Sequence, residues 1–347
     1  MINVRKKTAK KVSNYGRVPK YRKLALKIIN DIEEGKFLFD QKLPSIIEYH
    51  DETGLSKDTI VKTLTFLKER KIVTAVANKG FYITRNLNSN KSKVLFVPNK
   101  LSVYKLKTYQ CFVEALGLNY QVDLIVHHGN PDYLMEILLE SELVYDHIVV
   151  MPHFYGESKN QVDLIEYMKS LSLQKLLLMD KYIPKLSKVF PSIYQDFEND
   201  IITALKEGWN KLKRYSKLTL VFPAQQVYPY PEEIKTGFLR FCKLYSCKYQ
   251  IVIGLSELID FKQKDAFIII DENDLICFLQ RVKENGQRLG KDVGVISYND
   301  TPIKELLGIS VITTDFEVMA DTAAYMIKKK KHESVLNYCS LKDRGSI

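Results

Sequence analysis

Apolar residues near the amino terminus repeat with the period of an α-helix. The positions that share one helical face are Leu24, Ala25, Ile28, Ile29 and Ile32. Gly35 follows this stretch, and a glycine just past the end of a helix is a common stop signal. The pattern therefore predicts an amphipathic helix from Lys20 to Gly35.

Two further helices are predicted from the residues that start and stop them. Pro44 suits the first turn of a second helix, where its missing N–H costs nothing, and Gly54 ends that helix. Ser56 is a suitable N-cap for a third helix, and Asp58 in its first turn complements the helix dipole. The buried stripe predicted for the third helix consists of Ile60, Leu64 and Leu67.

Two short strand-like runs follow the third helix. Val73–Val76 and Gly80–Thr84 are rich in β-branched and aromatic residues and are separated by a short turn. A hairpin tip that carries Lys79 beside Gly80 can approach a phosphate backbone closely. Three helices followed by a hairpin predict a winged helix-turn-helix over residues 20–86.

The motifs of this region resemble those of the GntR family of bacterial transcription regulators. Leu43-Pro44-Ser45 matches the Leu-Pro-Ser before the family's second helix, and residues 54–60 match Gly-aliphatic-Ser-Arg-x-Thr-Val at its third. The family's wing glycine falls on Gly80. Ile47 and Lys57 stand where many members have arginine, and lysine lacks arginine's bidentate fork. The resemblance therefore implies a phosphate contact for Lys57.

A third helix lying in the major groove would bring its first turns to the DNA. The residues implied in DNA contact are Ser45, Lys57, Thr59, Lys62, Lys79 and Gly80. On the residues alone, an alternative stays open in which the serine and threonines are only helix caps and Gly80 is only a hairpin glycine.

The distribution of charge agrees with a nucleic-acid-binding unit at the amino terminus. Residues 1–88 hold 19 lysines and arginines against 9 carboxylates, whereas residues 89–347 hold 33 against 32. The net charge of +11 is therefore concentrated in one third of the chain or less. Such asymmetry is the electrostatic footprint of a DNA-binding module attached to a neutral domain.

The basic arm, the linker, the lack of apolar segments and the cysteines complete the sequence-based expectations. Residues 1–19 are rich in lysine and arginine and are predicted to form a flexible basic arm, and residues 87–92 a polar linker. The chain shows no signal-peptide core and no apolar run of about 18 residues, so we expect a soluble, cytoplasmic protein without a membrane partner. Its five cysteines form no C-x-x-C pair, so we expect free thiols, no metal and no cofactor.

After the linker, apolar strands alternate with amphipathic helices. Predicted strands are Val94–Val97, Val122–Val126, His147–Val150, Leu176–Met179, Leu218–Phe222, Tyr249–Ile253, Phe267–Ile270 and Val293–Ile296. Predicted helices lie near residues 104–116, 131–144, 160–171, 197–214, 231–245 and 273–286. This alternation indicates an α/β fold with parallel sheets covered on both faces. The number of units predicts two lobes, with a ligand cleft at the carboxyl ends of the strands.

The motifs of the larger domain are clearest over residues 265–316. Asn273-Asp274 follows a buried strand and opens a helix, and Thr313-Thr314 precedes a helix from Phe316. Residues 291–302 are similar to a strand followed by Gly-Phe-Asp-Asp. Together these segments resemble the effector-binding domain of LacI-type regulators, which is related to periplasmic sugar-binding proteins.

This resemblance implies a periplasmic-binding-protein-like domain over residues 93–347 that binds an effector and dimerises. Lobe 1 is expected over about 93–194 and 316–332, and lobe 2 over about 195–315 and 333–341. The chain departs from the family at Ile234, where relatives often have arginine, and at Asn299, where relatives often have a ligand-binding aspartate. The ligand contacts are therefore expected to differ from those of lactose- or purine-type relatives.

Polar and aromatic residues follow most of the predicted strands. They are Asn99-Lys100, His127-His128, His153-Phe154, Asp180-Lys181, Gln195-Asp196, Asp271-Glu272 and Tyr298-Asn299. Sugars need planar amide and carboxylate groups for their hydroxyls and an aromatic face for the ring, and no glycine-rich phosphate loop is present. We therefore predict a monosaccharide or polyol ligand. The candidate ligand-binding residues are His153, Asp196, Asp274 and Asn299.

Together these patterns predict a homodimeric transcriptional regulator that binds a palindromic DNA operator and responds to a small molecule, a sugar or sugar derivative, between its lobes. The chain lacks the G-x-S-x-G, P-loop and G-x-G-x-x-G motifs of common enzyme classes, so we expect no enzymatic activity. Two alternatives remain open. One is a constitutive DNA-binding protein whose second domain only dimerises, and the other is an α/β enzyme fused to a winged helix.

Overall fold

The chain is divided into an amino-terminal unit and two lobes. The computed structural model describes residues 19–84, 91–142, 144–154, 159–224, 230–255 and 264–347. Residues 1–18 of the predicted basic arm and residues 87–90 of the predicted linker lie outside the described residues, as do residues 85–86 of the predicted winged helix. None of the helices within the described ranges is long and apolar enough to span a bilayer.

The amino-terminal unit contains three helices and a hairpin. Its elements are α1 (Lys20–Glu33), α2 (Ile46–Thr53), α3 (Lys57–Glu69), β1 (Val73–Val76) and β2 (Gly80–Ile83). The segment before α2 extends the hairpin, because the Leu43 amide donates to the Phe81 carbonyl at 2.8 Å. The unit has its own apolar core, built largely from one face each of α1 and α3.

The helix boundaries in this unit follow from local chemistry. Ser45 and Glu48 form a reciprocal capping box at the start of α2, and Gly54 ends that helix with a φ of +67°. The Ser56 side chain accepts a hydrogen bond from the Thr59 amide at 3.4 Å and caps α3. The predicted stripe of α3 is confirmed, since Ile60, Leu64 and Leu67 are fully buried.

Lobe 1 is a parallel sheet with helices on both faces. Its strands are β3 (Ser92–Val97), β4 (Tyr120–Leu124), β5 (His147–Val150), β6 (Leu176–Lys181), β7 (Ser192–Gln195) and β13 (Ser334–Leu336). Its helices are α4 (Val103–Leu116), α5 (Pro131–Ser141), α6 (Lys159–Lys169), α7 (Pro184–Ser187) and α13 (Phe316–Lys329). The strand order is β4-β3-β5-β6-β7-β13. Alternate residues of β3 enter two different cores, one with α4 and α13 and one with α5 and α6.

Lobe 2 repeats this plan with one antiparallel strand. Its strands are β8 (Leu218–Phe222), β9 (Tyr249–Ile253), β10 (Ala266–Ile269), β11 (Gly294–Tyr298), β12 (Ser310–Thr314) and β14 (Cys339–Lys342). Its helices are α8 (Phe197–Glu207), α9 (Trp209–Leu212), α10 (Glu233–Leu244), α11 (Glu272–Glu284) and α12 (Pro302–Leu306). The strand order is β9-β8-β10-β11-β12-β14, and β14 runs antiparallel to β12.

Three crossovers join the lobes in the described chain: β7 to α8, β12 to α13, and β13 to β14. Asn337 lies on the third crossover and binds the other two. Its amide donates to the Tyr194 carbonyl at 2.7 Å, and its side-chain Nδ2 donates to Thr314 Oγ1 at 2.7 Å. Relative motion of the lobes must therefore bend segments that are hydrogen-bonded to one another.

The predicted α/β class with two lobes and parallel sheets is confirmed, but three details of the prediction were wrong. β7, β12, β13 and β14 were not identified as strands. The segment 334–336 was assigned to lobe 2, yet β13 pairs in parallel with β7 in the sheet of lobe 1. The helix predicted over 197–214 is divided at Gly208, where an added Cβ would lie 2.7 Å from Leu341 Cδ2. The close packing of β14 against Gly208 could not be predicted from the local sequence, because β14 lies far away along the chain.

Candidate ligand cleft and nucleic-acid interface

A cleft opens between the lobes at the carboxyl ends of the parallel strands, where the alternation of strands and helices in the sequence predicted it. Its empty volume is about 510 Å³, including the solvent at its mouth. From lobe 1 it is lined by Asn99, Lys100, Tyr104, Lys105, His153, Asp180 and Gln195. From lobe 2 it is lined by Phe197, Tyr230, Ile234, Ile270, Tyr298 and Asn299. A cleft of this size and mixed polarity suits a small organic ligand.

A buried ionic network forms the lobe 1 wall of the cleft. Lys105 Nζ lies 3.1 Å from Asp180 Oδ2, and the same oxygen lies 2.9 Å from His153 Nε2. Gln195 Nε2 donates to the other Asp180 oxygen, and Lys105 also donates to Asn99. Asp180 is 3% exposed and Lys105 also 3%, so this ion pair is screened little by solvent.

Burial and mutual attraction compete in setting the charges of this network. Burial alone would raise the pKa of Asp180, but the Lys105 charge and the hydrogen bonds of its neighbours hold that pKa below its usual value. Burial lowers the pKa of His153 to about 4, and the Lys105 charge adds to this effect while Asp180 opposes it. The imidazole is therefore neutral at pH 7, and its Nε2–H donates to the Asp180 carboxylate.

Two cleft residues have backbones in the left-handed region. The φ angles of Asp180 and Asn299 are +80° and +59°, which is uncommon for residues other than glycine. Each lies at or just past the end of a strand, β6 for Asp180 and β11 for Asn299. Backbone strain of this kind is concentrated at functional sites.

Aromatic rings complete the walls. Tyr104 stacks on Phe316 with ring centroids 4.8 Å apart, so the second crossover supports its position. On lobe 2, the Tyr230 hydroxyl donates to Asp271 Oδ2 at 3.2 Å. Lys100 Nζ lies 4.6 Å from the centroid of the Tyr230 ring and connects the two lobes across the cleft.

The predicted ligand residues divide into two pairs. His153 and Asn299 line the cleft. Asp196 and Asp274 do not. Asp196 caps α8 by accepting from the Asn199 amide at 3.1 Å, and Asp274 accepts from the Leu255 amide at 3.0 Å. Both carboxylates satisfy backbone donors near helix starts and lie outside the lining of this cleft.

Lys105 lines the cleft but was not identified from the sequence. Lys105 lies in the first turn of α4, and a lysine in an amphipathic helix ordinarily faces solvent. Tyr230, which also lines the cleft, lies before α10 in a proline-containing segment that the sequence leaves open as either a lip of the cleft or a turn. The strand-end residues noted above include Asn99, Lys100, His153, Asp180 and Gln195, so that rule had identified five of the seven residues that line the cleft from lobe 1.

On the amino-terminal unit, the predicted DNA-contacting residues lie at the starts of α2 and α3 and on the hairpin turn. Lys57 is the first residue of α3 and is exposed. Ser45 and Thr59 are both used in capping, since the Thr59 hydroxyl lies 2.9 Å from Ser56 Oγ. These capping hydrogen bonds orient the helix starts, but they leave each hydroxyl with less hydrogen-bonding capacity for a partner such as DNA.

Lys62, Lys79 and Gly80 have different surroundings. Lys62 Nζ lies 4.7 Å from the centroid of the Tyr21 ring, so this side chain turns toward α1. Lys79 is exposed in the turn, and Gly80 has a φ of +110°. An added Cβ on Gly80 would lie 3.1 Å from Lys42 Cε, which identifies Lys42 as a further basic residue beside the turn.

Within the described residues, no group of three or more histidine, cysteine, aspartate or glutamate side chains is placed to hold a metal ion. The five cysteines are free thiols. The side chains that line the cleft offer hydrogen bonding, aromatic contact and fixed charge.

No protein-family model matches this sequence, and no curated protein matches it. Solved structures do resemble it. The trehalose repressor from Escherichia coli aligns with a TM-score of 0.59 at 13% identity, over 73% of this chain and 100% of that one. The Escherichia coli transcriptional repressor ascG aligns with a TM-score of 0.60 at 17% identity, over 74% and 99%.

A third similar structure contains a ligand. It is a periplasmic binding protein/LacI transcriptional regulator from Alkaliphilus metalliredigens, complexed with D-xylulofuranose. It aligns with a TM-score of 0.56 at 14% identity, over 74% of this chain and 98% of that one. At these identities the similarity establishes the fold alone, which is a two-lobed, periplasmic-binding-protein-like α/β fold.

Proposed function

We propose that the protein is a transcriptional regulator whose DNA binding is controlled by a small molecule in the cleft. The observation that carries this proposal is the presence in one chain of two separate units, a basic three-helix unit with a hairpin and a two-lobed domain with a polar, aromatic cleft. Each unit has its own apolar core.

DNA binding is proposed for the amino-terminal unit, as a winged helix-turn-helix of the GntR type. Support comes from the exposed lysine at the start of α3, from the basic turn beside Gly80, and from the net positive charge of this part of the sequence. Lys57, Lys79 and Lys42 would contact phosphates, and the first turns of α3 would enter the major groove. Ser45, Thr59 and Lys62 remain proposed contacts that also have roles within the fold.

A sugar or sugar derivative is proposed as the ligand. The cleft places amide and carboxylate groups of Asn99, Asp180 and Gln195 near the rings of Tyr104 and Tyr230. This combination can hydrogen-bond vicinal hydroxyls and cover the apolar face of a pyranose or furanose ring. The D-xylulofuranose held by one structural neighbour is a ligand of this class.

Coupling between the sites is proposed to run through the crossovers. Closure of the lobes on a ligand bends segments that Asn337 ties together, and lobe 1 contacts the amino-terminal unit where Arg22 Nη1 donates to the Leu139 carbonyl at 2.8 Å. We further propose a homodimer, because two related DNA-binding units match the two halves of a palindromic operator.

The test is selection of bound fragments from a genomic DNA library by the full chain, followed by affinity measurements at several KCl concentrations. The proposal predicts an enriched palindromic site. It also predicts that the logarithm of the binding constant falls linearly with the logarithm of the salt concentration, with a slope of about −0.9 for each phosphate contacted. Absence of any enriched sequence, or of any salt dependence, would contradict it. Enrichment that no ligand alters would instead favour a constitutive DNA-binding protein.

A further inference from the structure

The amino-terminal unit contacts lobe 1 at the carboxyl end of α5. Arg22, in the first turn of α1, donates from Nη1 to the Leu139 carbonyl oxygen at 2.8 Å. Leu139 lies in the last turn of α5, where backbone carbonyls lack partners inside the helix. The negative end of the helix dipole lies at the same place and favours a cation. An arginine that is 117 residues away in the sequence therefore occupies a position that the end of α5 makes favourable.

A second arginine of the amino-terminal unit lies beside the first. Arg70 Cζ lies 3.6 Å from the centroid of the Phe66 ring, and Arg22 Cζ lies 5.5 Å from the same centroid. The Tyr21 ring packs edge-on against Phe66, with ring centroids 5.5 Å apart. Contact of a guanidinium group with an aromatic face restricts where its charge can lie. Because Phe66 is in α3 and Arg70 follows its last residue, this cluster connects α1, α3 and the end of α5.

Charged and polar groups of lobe 1 act on both arginines. Burial lowers the pKa of Arg70 and the Arg22 charge adds to this effect, whereas the charge of Glu140 in α5 opposes it. Just past α5, Glu142 accepts from the Tyr167 hydroxyl at 2.8 Å. Burial and Glu142 raise the pKa of Tyr167, and the Arg22 charge opposes them. The boundary between the two units therefore has positive charge on one side and carboxylates on the other.

Helix α3 has a different neighbour at each end. Lys57, its first residue, is the proposed DNA contact, whereas Arg70 follows its last residue and lies at the boundary with lobe 1. The helix has 13 residues, so at about 1.5 Å per residue its two ends are about 20 Å apart. Contact with lobe 1 at one end leaves the other end exposed, and it sets the direction in which that end points.

We propose, as an extension of the function proposed above, that Arg22 and Arg70 are positioning residues that hold each DNA-binding unit in one orientation on lobe 1 and thereby select the spacing of the operator half-sites. The polypeptide over residues 85–90 is one attachment of this unit to lobe 1, and the contact of the arginines with α5 is a second. A body attached at two points keeps its orientation, whereas a body attached at one point can rotate. In a homodimer, two oriented units reach half-sites of one separation and one helical phase.

The spacing of half-sites separates this role from local packing. Inserting two base pairs moves one half-site by about 7 Å and rotates it by about 70°, and five base pairs bring it to about the opposite face of the duplex. Two units in fixed orientations cannot then bind together, so the avidity of the dimer is lost. Units that rotate can follow the displaced half-site. Arginines that only stabilise the amino-terminal unit would change the affinity for every duplex by the same factor.

The experiment is fluorescence anisotropy of labelled duplexes titrated with the full chain. The duplexes carry the palindrome found by the DNA selection, the same palindrome with two or five base pairs inserted at its centre, or a single half-site. The test variant combines Arg22→Ala with Arg70→Ala. Its matched control combines Lys23→Ala with Lys68→Ala, which removes the same charge from α1 and α3 at two exposed positions. Glu140→Lys tests the contact from lobe 1 and leaves the DNA-binding unit unaltered.

The unaltered protein and the lysine control should bind the inserted sites at least about tenfold more weakly than the palindrome. The arginine variant and Glu140→Lys should differ by less than about threefold between spacings, with weaker binding to the palindrome and about the same affinity as their controls for a single half-site. A spacing preference that survives in both variants overturns the inference, and so does its absence from the unaltered protein.

Two further outcomes are decided by the same measurements. An arginine variant that fails to fold loses affinity for the single half-site as well, and Glu140→Lys then decides the inference alone. Absence of any enriched palindrome overturns the proposed function and the spacing inference with it. An enriched palindrome whose spacing preference is unaltered in Glu140→Lys overturns only the positioning role of the arginines.

Discussion

Lys105 Nζ lies 3.1 Å from Asp180 Oδ2 and joins α4 to the end of β6 in the floor of the cleft. Both side chains are nearly inaccessible to solvent. A buried pair of this kind adds little stability compared with an apolar pair, but removal of one partner leaves the other charge without compensation. The pair therefore fixes the geometry of the cleft, and its energetics can be tested one partner at a time.

Lys105→Met should destabilise lobe 1 by about 3–5 kcal/mol at pH 7, because it leaves the Asp180 carboxylate buried with only neutral partners. The measurement is urea unfolding followed by circular dichroism. Lys105→Met combined with Asp180→Asn should recover most of this loss, since no charge is then left unpaired. A single variant as stable as the unaltered protein would show that Asp180 is hydrated or neutral.

Asp200, in the first turn of α8, is expected to make the stability of lobe 2 depend on pH. Burial raises its pKa to about 7, with Asp196 adding to the effect, whereas an aspartate in an unfolded chain titrates near 3.9. The folded state therefore binds more protons between about pH 4 and pH 7. The stabilising contribution of protonated Asp200 is fully present below pH 4 and is lost as the pH rises through 7.

Asp200→Asn should remove this dependence. Relative to the unaltered protein, the variant should gain about 2–4 kcal/mol in unfolding free energy between pH 4 and pH 8. Trp209, the single tryptophan, packs against the lobe 2 core, so its fluorescence reports the unfolding of that lobe. His153, with a pKa of about 4, has the opposite pH dependence, but it is common to both proteins and cancels in the difference. A constant difference across this pH range would contradict the assignment.

Gly237 is expected to be required for the packing of α10 on α8. An added Cβ would lie 2.2 Å from the Glu198 carbonyl oxygen and 2.5 Å from Ile201 Cγ2. Alanine is a better helix former than glycine by about 1 kcal/mol, so Gly237→Ala would stabilise an open helix. Here it should destabilise lobe 2 by about 1–3 kcal/mol through overpacking. The control is Thr236→Ala on the exposed side of the same helix, and a stabilised Gly237→Ala would contradict the packing described here.

Most of the fold could be predicted from periodicity, because α1, α3 and the aliphatic strands are patterned by what they bury. The strands that were missed have other causes. β7, Ser-Ile-Tyr-Gln, is short and mixes polar and apolar residues, and only its pairing with β6 and β13 makes it a strand. β13 and β14 are two short segments that enter different sheets. Each becomes a strand only by pairing with a strand far away in the sequence, β13 with β7 and β14 with β12.

The cleft was predictable only in part, for a related reason. Residues at strand ends converge in any parallel sheet, so Asn99, Asp180 and Asn299 could be identified from position alone. The direction of a helical side chain such as Lys105 depends on how α4 packs against α13. A carboxylate after a strand can also cap the next helix, as Asp196 does, and the sequence does not separate these two roles.

Lys57→Ala should weaken binding to the selected DNA site and reduce the steepness of its salt dependence by about one unit of log affinity per log salt. The reason is loss of one phosphate contact at the start of α3. Lys68→Ala is the matched control, because Lys68 is an exposed lysine in the last turn of the same helix. Equal affinities and slopes for the two variants would mean that the first turn of α3 does not face the DNA.

The central claim is that the cleft and the DNA-binding unit are energetically coupled. The direct measurement is fluorescence anisotropy of a labelled DNA site, titrated with the full chain in the absence of ligand and at a saturating concentration of the tightest-binding compound from a panel of monosaccharides and sugar derivatives. Coupling of about 1–3 kcal/mol predicts a change in DNA affinity of about 5- to 150-fold, and the DNA should change ligand affinity by the same factor. An unchanged DNA affinity at saturating ligand would contradict the account.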